Sequence, residues 1–402
     1  MAGADDEKFN YDEARAPAYT LPDPLKMQDG RPVIAAAAWR DERRGELLRL
    51  FETHVYGQRP PTSQALRAQV LETASAVHDK ATRKRIQLSF SDSSETYPGF
   101  TITLFVPRGT KGPVPAFIGM HLFDSKAAEP VPGQHLAELE SENLPGDRLM
   151  EVILERGYAI ATLDANEFCP DDKQKFRDGV LSHLYPGRKG PPAAEEPGAI
   201  ATWAWALSRT LDYLSEDSDV DARRVAVIGH SRMGKTALWA GAEDPRFALV
   251  ISNNSGCGGA ALSRRDFGET VARITRVFPH WFCGNFSKYA HHEDQLPIDQ
   301  HELVALIAPR PVYIASAQDD GWADPRGAFL SALGADPVYR LLGEKGLQTA
   351  DFPAVGITIG QTIGYHIRVG KHALTDYDWM KYLDFADRWL RRSDSKTSAP
   401  GN

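Results

Sequence analysis

The sequence of 402 residues is short of cysteine, of net positive charge and of long apolar runs. Only three cysteines occur, Cys169, Cys257 and Cys283. That excludes a disulfide-stapled scaffold, and an odd count permits at most one bridge, which does not fix the redox compartment. The formal net charge is −8, and no basic stripe carries interleaved aromatics, so nucleic acid is not an expected partner. No run approaches the roughly 20 apolar residues of a membrane helix, and no membrane association is expected. Residues 1–8, Met-Ala-Gly-Ala-Asp-Asp-Glu-Lys, lack the apolar core of a signal peptide. Either the protein is cytoplasmic or a leader has been replaced. Repeats, low-complexity segments and the H-E-x-x-H metal spacing are likewise missing. His291-His292-Glu293-Asp294 therefore reads as a solvated loop, and no metal is expected.

What is present is an alternation of strand and helix patterns. Residues 1–36 are rich in Pro, Asp and Ala and read as an extended arm, followed by one domain over 37–392 and a disordered tail over 393–402. Ala37 to Tyr56 has the spacing of an amphipathic helix, with Leu47, Leu48, Leu50, Phe51 and Val55 on its apolar face. Arg67 to Val77, Arg85 to Ser91 and Phe100 to Val106 alternate as antiparallel strands do. Pro115 to Met120, Tyr158 to Leu163, Val225 to Ile228, Ala248 to Ser252, Pro311 to Ala317 and Ile363 to Val369 are short strands. Helical patterns over Leu149 to Gly157, Ala199 to Leu214, Phe267 to Val277, His301 to Ile307 and Asp376 to Leu390 lie between or after them. Strands separated by helices build a mostly parallel sheet. Residues 123–148 are irregular and expected to cover one end of that sheet. Asp164 to Gly198 is too long for a connector and is expected to carry binding surface or a lid.

Arg224 to Trp239 is the stretch around which the rest is arranged. The apolar strand Val225 to Ile228 turns through Gly229-His230-Ser231 into an Ala/Leu-rich helix. A serine on such a turn is the nucleophile elbow of α/β-hydrolases. The turn lifts the hydroxyl clear of the sheet, and the helix start offers N–H groups to a developing oxyanion. The match to G-x-S-x-G is imperfect: Met233 stands where the second glycine is usual, and Gly234 follows it. An ordinary turn with a buried serine would look similar, but it would have no need of Arg232 and Lys235 directly behind Ser231. The fold class is accordingly read as an α/β-hydrolase fold, a three-layer sandwich with N-terminal antiparallel strands before a mostly parallel central sheet.

A serine nucleophile needs a base to take its proton and an acid to hold that base in one tautomer. In this fold the order along the chain is Ser, acid, His, each at the C-terminal end of a strand. His372 follows the last strand and Asp320 follows the strand before it. Ser231 is thus the candidate nucleophile, His372 the general base and acid, and Asp320 the orienting carboxylate, with Asp319 as its competitor. His366 lies inside the last strand and His230 is expected to point into the sheet. Asn253-Asn-Ser-Gly-Cys-Gly-Gly259 is a glycine-rich loop at the edge where open α/β sheets bind ligands.

The segment Gly229-His-Ser-Arg-Met-Gly-Lys235 resembles the G-x-S-R-x-G-K elbow of glucuronoyl esterases, carbohydrate esterase family 15. Asn254 to Arg264, His280-Trp-Phe-Cys-Gly-Asn-Phe286, Leu296 to His301, Ala308 to Val312 and Trp322-Ala-Asp-Pro325 are similar to further blocks of that family. Together these cover most of residues 100–390. The resemblance implies hydrolysis of esters between 4-O-methyl-glucuronic acid of xylan and lignin alcohols, with no cofactor. It puts Ser231 on the nucleophile, His372 on the base and Arg232 on an arginine that stabilises the oxyanion, and it puts Asp320 ahead of Asp319. Lys235, Glu269 and Trp322 fall on residues that contact uronic-acid hydroxyls. Trp281 and Trp322 offer flat faces to a pyranose, core packing being the other reading of both. Glu269, on a helix, would otherwise be a solvated residue.

One departure stands out. Many members carry a catalytic Glu where this chain has Asn254, and an amide cannot balance an imidazolium charge. Some bacterial members instead carry the acid on the later loop, as Asp320 does. The expected partners are glucuronoxylan and lignin–carbohydrate esters, met by a monomer that is secreted or periplasmic. An acetyl xylan esterase or other polysaccharide deacylase, and an inactive carbohydrate-binding member of the fold, are the competing readings.

Overall fold

The computed structural model describes residues 9–61, 65–90, 99–122, 146–187, 190 and 192–391. The expected cover of the sheet by residues 123–148 lies mostly outside them, as does the 393–402 tail.

Among the described residues ten strands form one sheet: β1 Leu66–Ala76, β2 Ala81–Phe90, β3 Phe100–Pro107, β4 Val114–Met120, β5 Ala159–Leu163, β6 Val220–His230, β7 Leu249–Asn253, β8 Val312–Ala317, β9 Thr358–Gly360 and β10 Ile363–Arg368. Their spatial order is β1-β2-β3-β5-β4-β6-β7-β8-β10-β9. The strands β5, β4, β6, β7, β8 and β10 run parallel, flanked by antiparallel pairing through β3, β2 and β1 on one edge and by β9 on the other. The parallel strands are buried from end to end except at the start and tip of β6, as two-sided cover requires.

Each face of the sheet carries its own core. One joins Ile118, Val227, Val250 and Ile314 to the helices Ala199–Leu214, Arg232–Glu243 and Pro325–Leu341 and to the helical segment over residues 36–56. The other joins Phe117, Ile228, Ile251 and Tyr313 to the helices Gly146–Glu155 and Asp376–Leu390. This is the α/β-hydrolase fold.

The helices Ala199–Leu214 and Asp376–Leu390 have the bounds that periodicity gives. Thr375 caps the latter in a capping box with Asp378. The apolar face over residues 36–56 is buried at Leu47, Leu50, Phe51 and Val55, although two π-helical turns interrupt the α-helix there. One expected helix is shorter. It spans Val271–Val277, capped by the Thr270 side chain, so Phe267, Gly268 and Glu269 are outside it. The 17-residue helix Pro325–Leu341 was not expected at all.

Candidate active site

The parallel strands all deliver their C-terminal ends to one rim. At the end of β6, Ser231 adopts φ +56°, ψ −126°, a costly backbone for a residue with a side chain. The turn is held by Ser231 N–H donating to Asn253 O at 2.9 Å, from the end of the neighbouring β7. Its tightness explains the glycines. A Cβ on Gly229 would lie 1.9 Å from Met233 O, and one on Gly234 would lie 3.0 Å from Ser255 Cβ and 3.1 Å from Asn253 O. Position 234, not 233, is where the helix is pressed against the β7 loop. Met233 simply joins the core, so the shifted glycine is a local packing solution. Ser231 is the N-cap of the helix Arg232–Glu243, whose first N–H groups have no partner within the helix.

The candidate base and acid meet. His372 Nδ1 lies 2.7 Å from Asp320 Oδ2. Asp320 is 4 % exposed, whereas Asp319 is exposed to solvent. Two sets of contacts bring the loops together. Gln318 N donates to Arg368 O at 2.8 Å and Asp319 N to Gly370 O at 3.0 Å. Arg368 gathers the carbonyls of Val369, Lys371 and Ala373 at 2.7–3.1 Å and is held by Asp378 through Nε at 2.9 Å. The loop bearing His372 is therefore tied at three points to a buried ion pair. His366 bonds Tyr313 and the same Asp378 inside the core, away from the rim.

Two neighbours shape this pair. Asn254, at φ +44°, donates from Nδ2 to Asp320 Oδ2 at 2.9 Å, while its own Oδ1 is buried without a partner. His230 was expected to point into the sheet. Its ring instead lies 4.6 Å from that of His372, with Nδ1 bonded to Asn253 Oδ1 at 2.6 Å. Asn253 Nδ2 donates to Tyr382, so its oxygen accepts and His230 Nδ1 carries the proton. Burial, seconded by the charge of His372, lowers the His230 pKa to about 4. A neutral ring thus stands against the candidate base.

Lys235, one turn past Ser231, is buried and donates to Ser255 O, with Nζ 3.8 Å from Glu269 Oε2. Burial pulls the Lys235 pKa down and pushes that of Glu269 up, and each partner's charge opposes its shift. The expectation of a helical Glu269 is corrected by its place just ahead of the Thr270 cap. There its N–H donates to Trp322 O at 2.9 Å and its side chain turns inward. Trp281 is 6 % exposed, stacked on Phe278 at 3.9 Å, with Lys235 Nζ 6.0 Å from its ring.

One carboxylate here had no sequence signal. Asp171, in the 164–198 loop, places Oδ2 2.8 Å from Arg232 Nε and Oδ1 2.6 Å from Trp281 Nε1 and 2.9 Å from His280 Nε2. Burial raises its pKa, but the bonds from His280 and Trp281 and the Arg232 charge outweigh that and hold it below the usual range. The loop is itself anchored, by Trp203 Nε1 to Cys169 O at 2.8 Å and Val180 N to Phe168 O at 2.6 Å. All three cysteines are buried and free. Among the described residues no group of three or more His, Cys, Asp or Glu side chains could hold a metal ion.

A hydroxyl on a strained strand–helix turn, with a carboxylate-bound imidazole on the same rim of an α/β-hydrolase sheet, defines the class: a carboxylic ester hydrolase. Comparison with known proteins narrows it. The family model described as fungal glucuronyl esterase matches residues 89–343. A carbohydrate esterase of an unknown prokaryotic organism is 43 % identical over 400 residues, 95 % of this chain and 92 % of that one. The 4-O-methyl-glucuronoyl methylesterase of Schizophyllum commune is 30 % identical, over 80 % of this chain and 74 % of the other. The glucuronoyl esterase structure from Solibacter usitatus superposes with TM-score 0.85 at 41 % identity, covering 94 % of this chain and 99 % of that one. The chain belongs to the glucuronoyl esterase family, carbohydrate esterase family 15.

Proposed function

We propose that the protein hydrolyses the ester joining (4-O-methyl-)glucuronic acid of glucuronoxylan to lignin alcohols, acting as a monomer outside the cytoplasm. Ser231 attacks the ester carbonyl while His372 takes its proton. Asp320 keeps the His372 proton on Nδ1, leaving Nε2 free to accept. The negative charge of the tetrahedral intermediate falls at the start of the helix Arg232–Glu243, where backbone N–H groups and the Arg232 guanidinium are available. A donor so placed contributes on the order of 3 kcal/mol. His372 then protonates the departing alcohol, and water releases the glucuronate by the same steps reversed in role.

The observation that carries this reading is the buried Lys235–Glu269 pair one helical turn from Ser231. Burying two charges is expensive, and a pocket for an acetyl group has no use for them. A sugar acid with several hydroxyls does, since an ammonium and a carboxylate supply both donors and acceptors. Trp322, whose backbone oxygen accepts from the Glu269 N–H, adds a flat apolar face. No helix among the described residues is long and apolar enough to cross a membrane.

The test compares benzyl glucuronate, acetylated xylan and a simple acetate ester. Turnover favouring the glucuronate by orders of magnitude, and abolished by Ser231→Ala without loss of fold, is the expected result. Preference for the acetates would replace this reading with a deacylase, and residual activity in Ser231→Ala would remove Ser231 as nucleophile.

A further inference from the structure

The arm expected to lie along the surface is attached to the segments that bear the site. Asn10 O accepts from Gly268 N at 2.9 Å, one residue before Glu269. Phe9 meets Trp322 edge-on at 4.8 Å, with the Arg273 guanidinium 5.8 Å over its ring. Glu13 places both carboxylate oxygens 2.8 Å from Arg265 Nη2, and Arg265 Nε bonds Asp324 at 2.8 Å. Between these anchors stands Tyr11. Its ring meets Phe267 edge-on at 6.3 Å and rests on the backbone of Gly321, where an added Cβ would come 3.1 Å from the ring. Gly321 directly follows Asp320, whose charge assists burial in raising the Tyr11 pKa.

Yet Tyr11 is 55 % exposed. A large ring set between Phe267 and Gly321, and left open near the residues read as the sugar-acid site, has the form of a platform: amphipathic and cheap in entropy to use. Its attachments place it with Glu269 and Trp322, the residues read as contacting the uronic-acid hydroxyls.

We propose that Tyr11 forms an outer sugar subsite, on which a pyranose of the chain bearing the glucuronate rests its apolar face. This deepens the esterase reading and relies on it for the direction of the chain. A free uronate ester ends before this platform, and a xylo-oligosaccharide-linked ester reaches it.

The experiment measures KM for benzyl glucuronate and for the benzyl ester of a glucuronic acid carried on xylotriose, in the full chain, Tyr11→Ala and Tyr11→Phe. Tyr11→Ala is expected to raise the oligosaccharide KM roughly fivefold more than the benzyl glucuronate KM. Tyr11→Phe, which keeps the ring, should retain the wild-type ratio. An unchanged ratio in Tyr11→Ala overturns the proposal, including the case where both KM values rise together because the arm merely braces Trp322. Xylohexaose binding to Ser231→Ala, followed by calorimetry, separates this idea from the esterase reading. Weakening by Tyr11→Ala supports the subsite even if benzyl glucuronate proves not to be a substrate, and equal binding in both backgrounds rejects it.

Discussion

Replacing Asp320 by Asn tests the acid with almost no change of shape. The carboxylate has three donors around it. Oδ2 receives His372 Nδ1 at 2.7 Å and Asn254 Nδ2 at 2.9 Å, and Oδ1 receives Ala323 N at 3.3 Å. An amide can be placed there in two ways. With its oxygen toward His372, its NH2 faces the Ala323 N–H, donor against donor. With its NH2 toward His372, that clash vanishes, and Asn254 can turn its amide so that the unpaired Oδ1 accepts. The second arrangement pairs the two amides and removes the clash, while turning the Asn254 NH2 to the side where its oxygen had no partner. It also requires His372 Nδ1 to accept, which moves the imidazole proton to Nε2. In the proposed mechanism Nε2 is the nitrogen that accepts, and a base protonated there cannot take the serine proton. The expected loss in kcat is about 10⁴-fold, close to 5.5 kcal/mol, with KM for benzyl glucuronate little changed and thermal stability preserved. Imidazole ¹⁵N shifts of His372 should show the tautomer switch. A rate within tenfold of wild type would refute the argument.

Arg232→Ala is expected to lower kcat 10²–10³-fold, while Asp171→Ala, acting through Arg232, lowers it less. The double variant should then be no slower than Arg232→Ala by more than about 0.5 kcal/mol, and additive losses would show that Asp171 works by another route. His230 has a folded pKa of about 4 against an ordinary 6.5, so the unfolded chain takes up this proton first as pH falls. Stability should therefore decline between about pH 6.5 and 4, by at most about 3 kcal/mol from this group. His230→Asn should flatten that part of a plot of Tm against pH, and an unchanged slope would count against a buried neutral ring. Gly229→Ala drives a methyl within 1.9 Å of Met233 O, so a destabilisation well above 1 kcal/mol is expected in urea unfolding. Lys235→Met leaves Glu269 buried without its cation, and the KM for benzyl glucuronate should rise at least about tenfold while that for a simple acetate ester moves less.

The parts of this molecule legible in the sequence are those governed by local pattern or by the order of elements. Ala199–Leu214 and Asp376–Leu390 are long and periodic, and Thr375 caps the second. Ser231, Asp320 and His372 could be put forward as candidates because the fold fixes which strand ends converge. The helix Pro325–Leu341 escaped because Pro337, Gly327 and Gly334 lie within it, and each is locally a breaker. Gly327 and Gly334 are there for packing, against Asp324 and His301. Glu269 was misplaced because the apolar spacing runs past Thr270, while the backbone turns at Gly268, φ +62°. Asp171 and Tyr11 were invisible for another reason. Each acts on partners 60 to 310 positions away, Arg232 and Trp281 for the one, Gly321 and Phe267 for the other, and nothing in Cys169-Pro-Asp-Asp172 or Asn10-Tyr-Asp12 encodes that meeting.

Asn254 looked like a defect, because many family members place a catalytic Glu at that position. The structure gives the amide a different meaning. Positions 254 and 320 follow neighbouring strands, β7 and β8, and their side chains meet at 2.9 Å. One point beside His372 is thus reachable from two loops. Were both side chains carboxylates, two like charges in a buried site would force one to keep a proton, weakening the acid that orients the base. With the acid on the later loop, the residue at 254 should be a donor of similar reach that tolerates a left-handed backbone, and Asn meets both conditions. On this reading the amide is the complement of Asp320 and not the residue of a lost one, and the two positions are best regarded as a single site filled from either strand.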